Sequence, residues 1–268
     1  MNIELADIHC HILPGVDDGP AGMGETVEMA RIYLSLGYSH VIATPHVMNI
    51  FHSMDDIYSM TRRLQDLLLD MGMALTVLPG AEVLIDPDLP RLFQEKALPT
   101  LNRTRYTLIE FPIFEPFPDY AEKVFFQLIT QGLIPIVAHP ERTRCFQQDP
   151  ELLVGMVSRG ALLQVDQGSL IGSYGREALD TASMLLRASL VSFVASNMHR
   201  APFHRTYVYT QRERMREAWK QVQRLAGREG VREIYFENPD LLIKDVPMAV
   251  RTDFQKDSLL NKVKNLLP

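Results

Sequence analysis

Asp7, His9 and His11 stand at spacing two near the start of the chain. On a strand, residues at that spacing share one face, so the three polar groups lie together and Ala6, Ile8 and Cys10 face the other way. Such a face cannot be buried in hydrocarbon: it meets water or it binds something. The first strand of a parallel sheet is normally buried on both faces, which makes an exposed edge strand the weaker reading. Two imidazoles side by side on a strand suit a metal ion. The same event recurs along the chain. Val41-Ile42-Ala43 runs into Thr44-Pro45-His46, and Leu78-Pro79-Gly80-Ala81 delivers Glu82. Leu108-Ile109 delivers Glu110, and Ile136-Val137-Ala138 delivers His139. Phe193-Val194-Ala195-Ser196 delivers Asn197 and then His199. One polar residue at a strand end is ordinary capping. Six strand ends with the same habit point to a site for several metals with oxygen and imidazole ligands, on the C-terminal face where α/β barrels place their chemistry. Ligands of this type suit Mn²⁺, with Fe or Zn as further candidates.

Cys10 sits between two candidate ligands but faces away from them, so it is read as a core residue. Neither Cys10 nor Cys145 opens a Cys-x₅-Arg loop, since Val16 and Glu151 occupy the sixth positions, and a thiolate-phosphate mechanism is unsupported. His40, His52 and His204 read as loop or surface residues, with His204 near enough in sequence to His199 to line the pocket.

The elements that must carry these residues alternate from end to end. Apolar runs at 4–11, 39–45, 75–82, 106–111, 134–139, 161–165 and 190–196 read as strands. Helical patterns lie between them at 23–36, 54–71, 88–95, 120–131, 150–159 and 176–188. Asp149-Pro150 is a helix start, and Gly132 and Gly160 are helix stops. Repeated βα alternation implies a parallel sheet with right-handed crossovers, and seven strands in 268 residues suit a barrel better than an open sheet. A long charged helix follows at 206–227 around the single tryptophan, Trp219. Its basic residues from Arg212 to Arg228 are interleaved with glutamates and read as a solvated face. The tail ends in a short amphipathic pattern at 254–267, read as a docked helix.

Composition sets the outer bounds. The chain is 46% hydrophobic and 22% charged, which is globular and excludes disorder and coiled coil. Its net charge of −6 argues against a nucleic-acid binder held by phosphate contacts. No apolar run approaches the length of a membrane span. Met1-Asn2-Ile3-Glu4 has no basic region of the kind that opens a secretory signal, and two cysteines make no disulfide framework. A reducing cytoplasm is therefore the expected compartment.

These motifs together resemble the polymerase and histidinol phosphatase (PHP) superfamily. Within it, the chain is similar to the bacterial manganese-dependent protein-tyrosine phosphatases of capsule and exopolysaccharide operons. The resemblance rests on Asp7-Ile8-His9-Cys10-His11, Asp17-Asp18-Gly19-Pro20, Thr44-Pro45-His46, Gly80-Ala81-Glu82, Leu108-Ile109-Glu110-Phe111, Ala138-His139-Pro140-Glu141-Arg142 and Ala195-Ser196-Asn197-Met198-His199, in that order. Pro99-Thr100-Leu101-Asn102 and Glu237-Asn238-Pro239 add to it. It implies a distorted (β/α)₇ TIM-like barrel, with a metal-dependent phosphatase domain at 1–243 and a C-terminal tail at 244–268. It implies two or three metal ions, usually manganese. His9, His11, Glu82 and the position of Asn197 would hold one; Glu82, Glu110 and His139 a second, with Glu82 bridging; Asp18, His46 and His199 a third. Arg142 matches the arginine implicated in phosphate binding.

The implied reaction is hydrolysis of protein phosphotyrosine by a metal-bridging hydroxide. Arg142 would pair with the phosphoryl oxygens, and Asp18 or a site histidine such as His199 would supply the leaving-group proton. The implied partner is the phosphotyrosine tail of a bacterial tyrosine kinase that controls capsule or exopolysaccharide synthesis, and self-association is left open. Asn197 departs from the resemblance, which leads one to expect aspartate there. A carbonyl oxygen replaces an anionic one and would hold a cation less tightly. Two alternatives stay open: a small-molecule phosphoesterase acting on substrates like histidinol phosphate, and a regulatory protein with weakened metal binding.

Overall fold

A computed structural model describes residues 5–47, 54–201, 206–248 and 263. The element order is β1 (Leu5–Cys10), α1 (Met23–Leu36), β2 (Tyr38–Ala43), α2 (Met54–Asp70), β3 (Thr76–Pro79), β4 (Glu82–Leu84), α3 (Leu89–Gln94), β5 (Tyr106–Glu110), α4 (Ala121–Thr130), β6 (Ile134–Ala138), α5 (Arg144–Gln148), α6 (Glu151–Ser158), β7 (Leu162–Asp166), α7 (Arg176–Arg187), β8 (Phe193–Ala195), α8 (Thr206–Arg232) and α9 (Asn238–Ile243). All strand pairs are parallel, in the orders β1-β2-β3 and β4-β5-β6-β7-β8. The two sheets meet at both seams through backbone contacts at their C-terminal ends. On one side Glu82 N donates to Pro45 O at 3.1 Å and Val47 N to Glu82 O at 3.2 Å. On the other, Asn197 N donates to His9 O at 3.0 Å and His11 N to Met198 O at 2.9 Å. The strand ends thus form a ring, which is the TIM-like arrangement that the βα alternation predicts.

The run at 75–82 is where the structure departs from a seven-run reading. It breaks into β3 and β4, which belong to different sheets. Gly80 sits at the break, where a Cβ would lie 2.9 Å from both Ile42 Cγ2 and Leu101 Cδ2. Any side chain there would displace Ile42 of β2 and Leu101, both packed in the apolar interior. The helix predicted at 206–227 also runs on, to Arg232, but its backbone leaves helical geometry at Gly227. On its surface Arg216 pairs with Glu213 and Lys220 with Glu217, as expected of a solvated face. Its inner side stacks Trp219 on Tyr235 at 4.9 Å between ring centroids.

Two apolar clusters hold the layers. The larger lies between strands and helices; the smaller, with Ile8, Ile42, Leu108, Ile136 and Phe193, fills the inside of the ring. Side chains alternate along each strand. Leu162, Gln164 and Asp166 therefore climb one face of β7 from that inner cluster toward the site, as Tyr106, Leu108 and Glu110 do on β5. The first strand breaks this rule. Ile8 belongs to the inner cluster and Cys10 to the outer one although they are two apart. The register with β2 is irregular between Asp7 and Cys10, and a bulge of that kind re-aims side chains. Cys10 is fully buried, as expected of a core residue. No helix among the described residues is long and apolar enough to cross a membrane.

Past α9 the chain is fastened to the end of the ring remote from the strand C-termini. Asn102 Nδ2 donates to Ile243 O, Arg105 pairs with Asp245, and the Tyr106 hydroxyl donates to Val246 O while accepting from Met248 N. Of the predicted helix at 254–267 only Val263 is described; it is helical and fully buried in the larger cluster. His52 and His204 lie outside the described residues.

Gly80→Ala should destabilise the fold by about 1–3 kcal/mol, the usual cost of overpacking a tight site. A lower denaturation midpoint with an unchanged slope is the expected result.

Candidate metal centre

Glu82 lies at the centre of the ring's open end and is 1% exposed. Its Oε2 is 3.1 Å from His9 Nε2, 3.3 Å from His11 Nε2 and 3.3 Å from His46 Nδ1, while Oε1 is 2.8 Å from His139 Nε2. One carboxylate therefore faces four imidazoles. His46 Nδ1 also lies 3.2 Å from Glu110 Oε1. At the more exposed edge His199 Nε2 is 3.3 Å and His46 Nε2 3.9 Å from Asp18 Oδ1. His11 and His199 stack with centroids 3.7 Å apart.

The strands that deliver these groups end in unusual backbone. His139 and Asn197 have φ of 29° and 49°, the left-handed region, which turns the chain inward just past β6 and β8. His and Asn are among the residues that enter this region most readily. The loop of Asp17 and Asp18 closes over His11 because residue 19 is glycine: a Cβ there would sit 2.5 Å from His11 O.

The far nitrogens of His9, His11 and His199 are already committed. His9 Nδ1 donates to Gln164 Oε1 at 2.8 Å, His11 Nδ1 to Asp17 Oδ2 at 2.6 Å, and His199 Nδ1 to Asn197 O at 3.0 Å. Each bond fixes the tautomer and leaves a bare Nε2 facing the cluster, as in metal-ligating histidines. When both rings are neutral, as ligation requires, His9 and His11 present their Nε2 lone pairs to one another at 3.3 Å, an arrangement that suits a cation between them. Among the described residues His46 Nδ1 and Asn197 Oδ1 are buried without a hydrogen-bond partner, which fits atoms reserved for a ligand. Among the described residues three groups have ligand atoms close enough to share an ion: His9, His11 and Glu82; His46, Glu82 and Glu110; and His11, Asp18, His46 and His199. His139 stands beside them on the other oxygen of Glu82. The donor set of imidazole and carboxylate fits divalent ions of the Mn, Fe and Zn type.

Electrostatics follow this crowding. Burial would lower the pKa of His9, but Glu82 pushes it up to about 9. Burial opposes His46 in the same way, and Glu110 with Glu82 raises it to about 9. Asp17, despite burial, is held low by His11.

Several functional groups were not picked out by spacing. Asp17 orients His11 and accepts from His46 N at 2.9 Å. Gln164 and Asp166, both fully buried, stand two apart on β7. That is the polar alternation that singled out the first strand, but the predicted run stopped one residue short. Asp7 faces neither the cluster nor water; it accepts from the Tyr33 hydroxyl at 3.0 Å and from Ser196 N, and so ties α1 and β8 to β1. Arg142 lies in the turn Pro140–Arg142 directly after His139. Its Nη1 is 2.9 Å from Asp166 Oδ2, and its guanidinium covers the Tyr174 ring at 4.1 Å. Beside the histidine–carboxylate cluster a cavity of about 740 Å³ opens, lined by Asn197, His199, Arg200, Tyr174 and Arg214 among others. Tyr174 and Arg142 also wall a neighbouring cleft of about 520 Å³ with Phe114 and Arg144.

A ring of parallel strands whose C-terminal ends converge on a histidine–carboxylate cluster is the architecture of a TIM-like α/β enzyme. The chain belongs to the family described as "Capsular polysaccharide synthesis, CpsB/CapC", whose sequence model matches residues 5–244. It is 39% identical over 197 residues to the tyrosine-protein phosphatase YwqE of Bacillus subtilis (strain 168), covering 73% of this chain and 77% of that one. It is 34% identical to CapC of Staphylococcus aureus over 73% of this chain and 77% of that one. A solved structure from work on YwqE of Bacillus subtilis and CpsB of Streptococcus pneumoniae, described as metal-dependent tyrosine phosphatases, superposes with a TM-score of 0.83. That match has 34% identity and covers 91% of this chain and 96% of the other.

Ligation needs neutral imidazole, whereas His9 and His46 without metal stay protonated up to about pH 9. Titrating a divalent ion into chelator-stripped protein at pH 7 should therefore release protons, and affinity should rise with pH until about 9. Calorimetry in buffers of differing ionisation enthalpy reads the released protons directly; an affinity flat from pH 6.5 to 9 would contradict the ligand set.

Proposed function

We propose that the chain is a metal-dependent protein-tyrosine phosphatase, with Mn²⁺ as the working ion. The observation that carries this reading is the cluster around Glu82, with a positively charged, aromatic-walled approach beside it. The family and its 39%-identical relative support the same activity. Divalent ions at these ligands supply a nucleophile at neutral pH and neutralise phosphoryl charge.

The ligands are His9, His11, Asp18, His46, Glu82, Glu110, His139, Asn197 and His199. Arg142 receives the non-bridging phosphoryl oxygens through its planar fork. Tyr174, stacked on Arg142, holds that fork in the approach and offers a ring face to the phenyl group of the substrate. Arg200 and Arg214 extend positive charge across the wider cavity, which suits an acidic peptide. Protonation of the phenolate falls to whichever of Asp18 and His199, paired at 3.3 Å at the open edge, an ion leaves uncoordinated. A phenolate leaves readily, so this help can be modest.

The same reading makes residues 1–243 the catalytic unit, places it in the cytoplasm, and gives it as substrate the phosphotyrosine tail of a kinase governing capsule synthesis. A small-molecule phosphatase is not favoured, because the approach is wide, aromatic and basic. Glutamate and aspartate ligands remain throughout the cluster, so a purely regulatory role has only the neutral Asn197 in its support.

Turnover on a phosphotyrosine peptide, set against histidinol phosphate with and without Mn²⁺, tests the reading; no Mn²⁺-dependent hydrolysis of the peptide would overturn it. Arg142→Lys should lower turnover at least tenfold with metal content unchanged, because lysine keeps the charge and loses the fork. Equal kinetics would return Arg142 to a supporting role on Asp166.

A further inference from the structure

The geometry points to Asp166 as the positioning residue of the ligand group formed by His9, His11, Glu82 and Asn197: its carboxylate orients two buried amides, and those amides decide which atoms of His9 and Asn197 are offered to an ion. This rests on the reading of that cluster as a metal centre.

Asp166 ends β7 and has no exposed surface. Its Oδ1 accepts from Gln164 Nε2 at 3.0 Å. Its Oδ2 accepts from Asn197 Nδ2 at 3.1 Å and from Arg142 Nη1 at 2.9 Å. A carboxylate can only accept, so both amides must turn their NH₂ groups toward it. Gln164 is then left with its carbonyl oxygen for His9, which must donate from Nδ1 and present Nε2. Asn197 is left with Oδ1 pointing away from Asp166, buried and without a partner. Without Asp166 each amide could flip, and a flipped Gln164 would offer His9 a donor, reversing its tautomer.

The same arrangement relocates a charge. Asn197 is neutral, yet the anion beside it is one hydrogen bond away at Asp166. The ion-facing oxygen belongs to an amide polarised by that anion, and Arg142 holds the anion from the other side. An aspartate at 197 in this setting would bring two buried carboxylates into contact at the 3.1 Å now bridged by a hydrogen bond, which is costly.

Three isosteric variants of the full chain test this: Asp166→Asn, Asn197→Asp and the double swap. The readouts are Mn²⁺ affinity by calorimetry and the tautomer of His9 by imidazole ¹⁵N NMR on metal-free protein at pH 10, where the ring is neutral. Asp166→Asn should weaken Mn²⁺ binding about 10–100-fold, the usual cost of losing such a partner. It should also mix the His9 tautomers. Asn197→Asp alone should fail to tighten binding. The double swap restores one acceptor-only group and one amide across the same bond, so it should bind at least tenfold better than either single variant. If Asp166→Asn does not fold, the comparison of the double swap with Asn197→Asp decides. The proposal is overturned if Asp166→Asn binds Mn²⁺ like the parent with an unchanged tautomer, or if Asn197→Asp tightens binding with Asp166 in place. A parent chain that binds no divalent ion sinks the metal-centre reading itself, and this role with it.

Discussion

Everything at the open end of the ring is arranged around one buried carboxylate. Glu82 faces four imidazoles, and the burial that makes an isolated anion costly is offset only because those groups surround it. Its position depends on Gly80, two residues earlier. That glycine lets β3 end and β4 begin on the neighbouring sheet, so that residue 82 emerges at the seam rather than along a strand edge. The seam's backbone bonds, Glu82 N to Pro45 O and Val47 N to Glu82 O, hold His46 against it. Fold and site thus share the same few atoms.

Around that centre the structure spends its buried polar groups on orientation. Asp17 fixes His11, Gln164 fixes His9, and the carbonyl of Asn197 fixes His199. The strained backbone at His139 and Asn197 belongs to the same economy: left-handed geometry outside glycine costs about 1–3 kcal/mol and persists where surrounding structure imposes it. Glu141 shows how far burial goes here. Buried and close to Asp166, it has its pKa pushed up to about 7, while its Oε1 accepts from Ser169 Oγ and Asp166 N.

Much of this was legible in the sequence because polar candidate ligands at strand ends violate the pattern of their own strands. Glu82, Glu110 and His139 each end an apolar run, His9 and His11 alternate with apolar residues, and no packing argument accounts for them. The alternation of helix and strand was equally readable; α1 spans Met23–Leu36, as its pattern predicts. What stayed hidden was non-local. The bulge in β1 cannot be seen from spacing, so strict alternation put Asp7 beside the histidines when it bonds Tyr33 and Ser196 instead. The partition of 75–82 between two sheets needs the contacts of Gly80 with Ile42 and Leu101. Asp166 carried a visible signal, a polar residue two beyond Gln164, but its importance lies in what it touches.

One strand shows how the work is divided. β5 carries Glu110 at one end and Tyr106 at the other, and Tyr106 clasps the chain after α9 through Val246 and Met248. Some 13 Å of sheet separates the two, at about 3.3 Å per residue. Ligand geometry is set at the first end and chain fastening at the second. Engineering for thermal tolerance can therefore be aimed at the clasp of Arg105, Tyr106 and Asp245, at the opposite end of the strand from Glu110.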